Sequence, residues 1–487
     1  MAAIPIQGWS LSERRFDNSG GVTGDWRRGF EGVAIAFIDS IPTIALRGHL
    51  LRIFGLGFGL AVVIGGVVGS GIMRNPSVVA VGFPDPLWIL LAWAGGGLFI
   101  AIDAMPTVEL GAAIPLAGGP YSIITRAVGP RSGFLIGWAD WCQLTVSTGF
   151  ITVAFGEYVH RLGALPGLSA GQIAILLVAA CCGLNWIGAR TGGNSQNVGT
   201  ALKAVGLVVL VAALFAGHAP AMADAPPPPA FSWVTAMVAL RAIYGAYGGW
   251  QAAIYFSEEV NAPERNVARA TFVGIAVITT LYLLVNAAVL HVLPIGTLVH
   301  SNLAAADAAR IVLGEGSNVI VTALAILCVA TLANIQIMEL TRTNYAMARM
   351  SSLPPALAVV SQSGTPRAAL VTGCVAISLI IIAADSVKGH LYEILLDLYA
   401  PFVMIILLSF SLAVIRLRRT EPDLPRPWKM PLFPLPALVS VALNAILLAL
   451  FLVSDWKTGI WSAALLACAI PLYALGKARW QQKTAPR

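Results

Sequence analysis

Two glycine-rich stretches hold the residues best placed to do chemistry. One is Gly65-Gly66-Val67-Val68-Gly69-Ser70-Gly71-Ile72, the other Tyr244-Gly245-Ala246-Tyr247-Gly248-Gly249-Trp250. Glycine weakens helix locally, so each stretch divides an apolar segment into two half-helices with bare backbone between them. At Gly69-Ser70-Gly71 the freed N–H groups and the positive helix end favour a carboxylate, and the Ser70 hydroxyl adds a donor. Freed carbonyls at Gly245–Gly249 accept from an ammonium group. Val68, Gly69, Ser70 and Gly71, facing Tyr244, Gly245, Ala246, Gly248 and Trp250, therefore make a candidate binding site for an α-amino acid zwitterion. Close packing of small residues between helices is the competing reading of either stretch alone. A matched pair of breaks in two halves of a chain points to a carrier's binding site.

The elements that must position these residues are membrane spans. Hydrophobic residues make up 57% of the 487, charged residues only 11%, and mean hydropathy is +0.80. Soluble domains carry about 25% charged residues. Twelve segments approach the roughly 20 apolar residues a span needs: 53–73, 87–110, 131–159, 171–188, 198–217, 232–256, 268–293, 316–340, 367–384, 391–415, 432–453 and 459–476. With the N-terminus inside, 23 Lys/Arg fall in cytoplasmic stretches and five outside. The positive-inside rule then puts both termini in the cytoplasm. The net charge of +7 follows this topology and is no nucleic-acid signal.

The breaks fall in spans 1 and 6, five apart, so the second set enters the membrane from the opposite side. Residues 53–217 and 232–415 are expected to be inverted repeats of five spans each. Residues 416–476 carry a basic, Pro-rich loop and spans 11 and 12, and 477–487 form a cytoplasmic tail. Residues 1–52 read as an N-terminal tail whose apolar run Gly32–Leu46 either lies on the membrane surface or packs loosely. Residues 1–28 lack an apolar core, so no cleavable signal peptide is expected. Four prolines within Asp224–Pro229 mark an outer loop.

Charged residues inside apolar spans default to function. Glu258 and Glu259 end span 6, and one of them is expected to pair with a cytoplasmic arginine such as Arg126 as an inner gate. Arg241 is open between meeting an acidic substrate side chain and pairing with Asp103 or Asp140. All six cysteines lie in candidate spans, which argues against a disulfide framework or zinc cage. Gly66–Gly71 lacks the Gly-Lys-Ser/Thr ending of a phosphate loop. The histidines form no metal pattern, and no nucleophile elbow is present. An enzyme, a cofactor and a nucleic-acid partner are thus not expected.

Several motifs in order resemble those of the amino acid–polyamine–organocation (APC) transporter superfamily. They are Gly69-Ser70-Gly71-Ile72-Met73, then Glu109-Leu110 with Ile114–Tyr121, then Ala246–Trp250 followed by Glu258–Asn266. Arg342 with Tyr345–Arg349 and Leu353-Pro354 follow, and Arg426-Pro427-Trp428-Lys429 closes the series. The resemblance covers about 53–476. It implies an all-α integral membrane protein of about twelve spans in a LeuT-like 5+5 fold, discontinuous at helices 1 and 6, with alternating access. It also implies a role for Lys203. In sodium-independent members a lysine at this place stands beside the helix 1 break, where sodium-dependent ones bind the ion. Lys203 is accordingly the candidate ion-coupling residue and proton carrier, against the reading of a helix-end lysine snorkelling to the surface.

The chain is similar to L-type amino acid transporter-like members but departs from them. Many carry a bulky aromatic gate where Gly245 stands, so either Tyr244 substitutes or the pocket is larger. Their outer cysteine is missing near 160–170, so no disulfide-linked heavy chain is expected. The expected activity is secondary transport of amino acids or related amines across the plasma membrane, proton-coupled and sodium-independent. Obligate exchange and a non-transporting nutrient sensor are the alternatives. Arginine outnumbers lysine 24 to 6, which fits a GC-rich genome and a bacterial inner membrane.

Overall fold

Apart from one isolated parallel bridge between Phe54 and Val260, the regular backbone among the described residues is helical. The computed structural model describes residues 49–481 except Ser70, 218–225, Asn302, 387–390 and Asp455. All of these belong to a unit running Leu46–Arg487. The N-terminal run Gly32–Leu46 lies outside the described residues, as does part of the loop at Asp224–Pro229.

In chain order the helices are α1 (Leu56–Val67), α2 (Gly71–Gly82), α3 (Pro86–Ala113), α4 (Gly119–Val128), α5 (Pro130–Arg161), α6 (Ala170–Ile187), α7 (Ala189–Ala216), α8 (Trp233–Ala246) and α9 (Ala252–Tyr255). They continue with α10 (Pro263–Val292), α11 (Ile295–Leu298), α12 (Ala304–Leu313), α13 (Ser317–Arg349), α14 (Arg367–Ser386), α15 (Leu391–Thr420), α16 (Leu435–Ser454), α17 (Trp456–Ala467) and α18 (Ala469–Gly476).

Starts are written in the sequence. Asp85 caps α3, accepting from the Leu87 and Trp88 amides, with Pro86 at the first helical position. Ser169 and Gln172 make a reciprocal capping box on α6. Gly129, at φ +117°, turns α4 into α5 through a conformation that disfavours a side chain.

Each of the twelve apolar segments contains helix. Among the described residues eight helices are long and apolar enough to cross a membrane, and nine if α1 and α2, bent by 47°, count as one span. Two of the three remaining segments fall short for physical reasons, and the third, at 367–384, is a shorter apolar helix. The α5 helix has length but buries Asp140, Gln143, Thr145, Ser147, Thr148 and Thr152, polar groups that belong to a helix inside a bundle. The α8 helix is short because glycine ends it. The protein is therefore an all-α, multi-span membrane protein with a discontinuous first span.

Its outer surface is apolar. Leu87, Trp88, Leu98, Trp233, Val234 and Ile470 stand exposed, as lipid-facing side chains do. Its interior packs α5 against α6, α13 and α15, and α10 against α1 and α3.

Candidate functional site

The two breaks meet. The first helix ends because Val68 leaves helical geometry (φ −74°, ψ 90°), its N–H still bonded to Ile64 O, and helix resumes at Gly71. The α8 helix ends at Ala246, and a turn through Gly249 leads to α9. Gly249 adopts φ +100°. A Cβ on Gly66 would fall 2.8 Å from the Gly249 carbonyl oxygen, and one on Gly249 would collide with the Gly66 oxygen. Both positions require glycine because the two backbones touch. Tyr282 of α10 joins the breaks, its hydroxyl lying 3.1 Å from Val67 O and 3.0 Å from Ala246 O. Asn75 of α2 adds a bond of 2.9 Å to Ala242 O of α8.

Of the predicted site residues, Gly71 and Ala246 meet across the two breaks. Val68 turns its carbonyl toward Lys203. Gly69 lies against Leu332 of α13, a Cβ there falling 3.0 Å from Leu332 Cδ2. Ser70 lies outside the described residues. Gly71 opens α2, and a Cβ on it would lie 3.7 Å from Ala246. A Cβ on Gly248 would lie 3.3 Å from the Tyr399 hydroxyl. Trp250 is buried. Beside Gly245 there is open space, while Tyr244 turns elsewhere, donating to Asn444 Oδ1 at 3.1 Å.

Lys203 of α7 is completely buried and does not snorkel to the surface. Its Nζ donates to Gly65 O at 2.8 Å and Val68 O at 2.7 Å, carbonyls that α1 strands where it stops. A point charge thus sits where the first span is interrupted. Thr200, one turn earlier, donates to Ala61 O at 3.0 Å.

At the end of the bundle where span 1 begins and span 6 finishes, the acids are paired, though not with Arg126. Arg126 bonds Glu421 at 2.8 Å, and this arginine holds the Glu421 carboxyl below its usual range. Glu259 is clasped in bidentate fashion by Arg342 (2.8 and 2.9 Å), with both side chains buried. Glu258 accepts from Arg349 at 2.7 Å and from the Ala117 amide at 3.1 Å. The backbone closes this end too: the Ile53 and Phe54 amides donate to Glu259 O, and Asn261 N–H donates to Phe54 O. Register explains the difference. Arg342 and Arg349 lie seven residues apart on one face of α13, matching adjacent acids on the segment beside it.

Asp103, Asp140 and Glu109, further acids within candidate spans, have partners. Asp103 accepts from Ser440 and, at 2.9 Å, from Asn444. Asp140 accepts from Tyr255 at 2.5 Å and Thr343 at 2.8 Å. Arg241 stands over the Phe451 ring, 5.3 Å from its centre. Glu109 binds Arg418, Arg426 and the Met430 amide. Tyr282, absent from the sequence-derived site, had no local signal, being one tyrosine within an apolar span.

An all-helical membrane protein whose first span is interrupted against a second broken segment is built as a carrier. The comparison with known proteins names the group. The amino acid permease family model matches residues 59–473, and the chain belongs to that family. It is a membrane-embedded secondary transporter, not an enzyme. It is 27% identical to the serine/threonine exchanger SteT of Bacillus subtilis (strain 168) over 432 residues, covering 87% of this chain and 96% of that one. It is 28% identical to the mouse (Mus musculus) Asc-type amino acid transporter 1 over 457 residues, with 90% and 83% covered. It shares 28% with the mouse large neutral amino acids transporter small subunit 2 over 462 residues, with 89% and 82% covered.

Proposed function

We propose that the protein moves amino acids or related amines across the plasma membrane by alternating access through a site between the two broken helices. The supporting observation is the backbone contact of Gly66 with Gly249, bridged by Tyr282. It leaves donors at the start of α2 and acceptors at the end of α8 side by side, the pattern an amino acid zwitterion needs. Val68, Gly69, Ser70 and Gly71 hold the carboxylate. Ala246, Gly248 and the carbonyls around them hold the amine. Gly245, Tyr244 and Trp250 border the side chain.

In this reading spans 1–5 (53–217) and 6–10 (232–415) are inverted repeats of a LeuT-like fold of about twelve spans. Residues 416–476 supply the last two, and both termini are cytoplasmic in a bacterial inner membrane. Lys203 supplies the charge that a sodium ion would otherwise bring to the break, so transport is sodium-independent, and it carries the coupled proton. The pairs Glu259–Arg342 and Glu258–Arg349 close the inner side. Exchange is the second reading, because one relative is named an exchanger.

The deciding experiment is uptake of radiolabelled amino acids into proteoliposomes, with and without an inward proton gradient. Gradient-stimulated uptake is the expected result. Uptake only into preloaded vesicles would establish exchange instead, and binding without flux would overturn transport altogether.

A further inference from the structure

Asp140 and Glu339 stand together in the interior of the bundle with no basic side chain bonded to either among the described residues. Asp140 of α5 is fully buried and both its oxygens are filled, Oδ1 by Tyr255 and Oδ2 by Thr343. Two hydroxyls that give their protons hold it as an acceptor. Glu339 of α13 is 6% exposed and has no hydrogen-bond or ion-pair partner among the described residues. It lies one turn before Thr343 on the same face of α13, and Thr343 is the residue that donates to Asp140 Oδ2.

This pair adjoins the transport site. Tyr255, which donates to Asp140, ends α9 directly after the span 6 break, and Leu332 of α13 packs at Gly69 in the span 1 break. Glu339 is two turns beyond Leu332 on the same face, about 10 Å along the helix. Nearby cations are already engaged. Arg342 bonds Glu259 and Met338 O, and Lys203 bonds Gly65 and Val68. Two carboxylates taken out of water are strongly unfavourable until something positive joins them.

We propose that Glu339, backed by Asp140, is the subsite for a positively charged substrate side chain, so that this permease accepts an amino acid or amine bearing a second ammonium or guanidinium group. The inference rests on the amino acid site proposed above and assigns its side-chain end. The backbone breaks hold the α-amino and α-carboxyl groups, and the distal cation reaches down α13 to Glu339. A ligand with an uncharged side chain leaves the acid pair unmatched.

The test is competition binding on the full-length protein in proteoliposomes, with lysine, ornithine, arginine and putrescine against alanine, serine and leucine. Cationic ligands are expected to compete, and Glu339→Gln to shift the ratio of cationic to neutral affinity by at least about tenfold toward neutral. Glu339→Asp should restore part of that ratio, and Asp140→Asn should lower it. Size-exclusion profiles of each variant identify any that fail to fold. Wild-type protein that binds neutral amino acids alone overturns the proposal, as does Glu339→Gln with unchanged selectivity. If Glu339→Gln removes the pH dependence of uptake and leaves selectivity intact, the pair holds a proton and the proposal also fails. Absence of binding by every amino acid would instead overturn the transport reading itself.

Discussion

The ammonium of Lys203 lies 2.7 Å from the carbonyl oxygen of Val68, at the point where the first membrane helix stops. Helix ends leave carbonyls without partners, and in lipid no water is present to take them. Here a side chain from a helix more than a hundred residues away supplies the donor, and the same nitrogen holds Gly65 O at 2.8 Å. The break in span 1 is thereby a defined structure with a charge at its centre.

Replacement of Lys203 by methionine keeps the stem and removes the donor. Each lost bond to a charged group is worth about 1.5–3 kcal/mol, and two buried carbonyls go unpaired. Uptake is expected to fall by at least about tenfold, with loss of any response to an imposed proton gradient. Proteoliposome flux between pH 5.5 and 8 measures both. Wild-type flux and pH response in the variant would remove Lys203 from the mechanism.

Tyr282→Phe separates the two breaks without changing volume. Val67 O and Ala246 O lose a shared donor, at a cost of about 1–3 kcal/mol. The expected result is a lower Tm, by a few degrees, together with weaker substrate binding. Thermal unfolding with and without amino acid reads both. An unchanged Tm would show that neither carbonyl relies on this hydroxyl.

The glycines of the second break are not equivalent. Gly249 is left-handed and abuts Gly66, so Gly249→Ala combines about 1–2 kcal/mol of backbone strain with a direct clash. Gly245 lies in the last turn of α8 with nothing within 4 Å of its Cβ position. Alanine there is favourable to helix by about 1 kcal/mol. Gly249→Ala is expected to lose most monodisperse protein, and Gly245→Ala to keep its yield and Tm. Size-exclusion chromatography of the two variants decides it, and equal yields would contradict the contact.

How much of this was readable beforehand differs by feature. The broken spans were legible because glycine clusters inside long apolar runs are rare and their effect is local. The lysine beside the break was legible only through its resemblance to a family. Ion-pair partners were not. A cytoplasmic arginine such as Arg126 is the expected mate of Glu258 or Glu259; both acids do pair with arginines, Glu259 with Arg342 and Glu258 with Arg349, but Arg126 binds Glu421, 295 positions away. Interhelical register depends on packing across the whole bundle, and no local period encodes it. The spacing of Arg342 and Arg349 held the clue, since seven residues bring both onto the face that meets two consecutive glutamates. The candidate span 131–159 anticipates α5 despite its polarity. Its buried serines, threonines and Asp140 make it less apolar than a lipid-facing span, and the same polarity marks it as an interior helix.

The two ion pairs at the closed end should separate stability from gating. Glu259–Arg342 is sealed, so Arg342→Gln strands a buried carboxylate at about 3–5 kcal/mol and is expected to lower Tm sharply. Glu258–Arg349 is partly exposed, its side chains 14% and 25% accessible, and solvent screening leaves it about 0–1 kcal/mol of folding stability. That small energy still matters for a two-state closure, where about 1 kcal/mol shifts the open population roughly fivefold. Arg349→Ala is therefore expected to keep its Tm while loosening the backbone pairing of Phe54 with Glu259 and Asn261. Hydrogen–deuterium exchange over residues 52–62 and 257–264 reports this directly, without any transport assay. Faster exchange in both segments at unchanged Tm is the expected outcome. Full protection in Arg349→Ala would mean that the backbone bridge and the buried Glu259–Arg342 pair keep this end shut without help from Glu258.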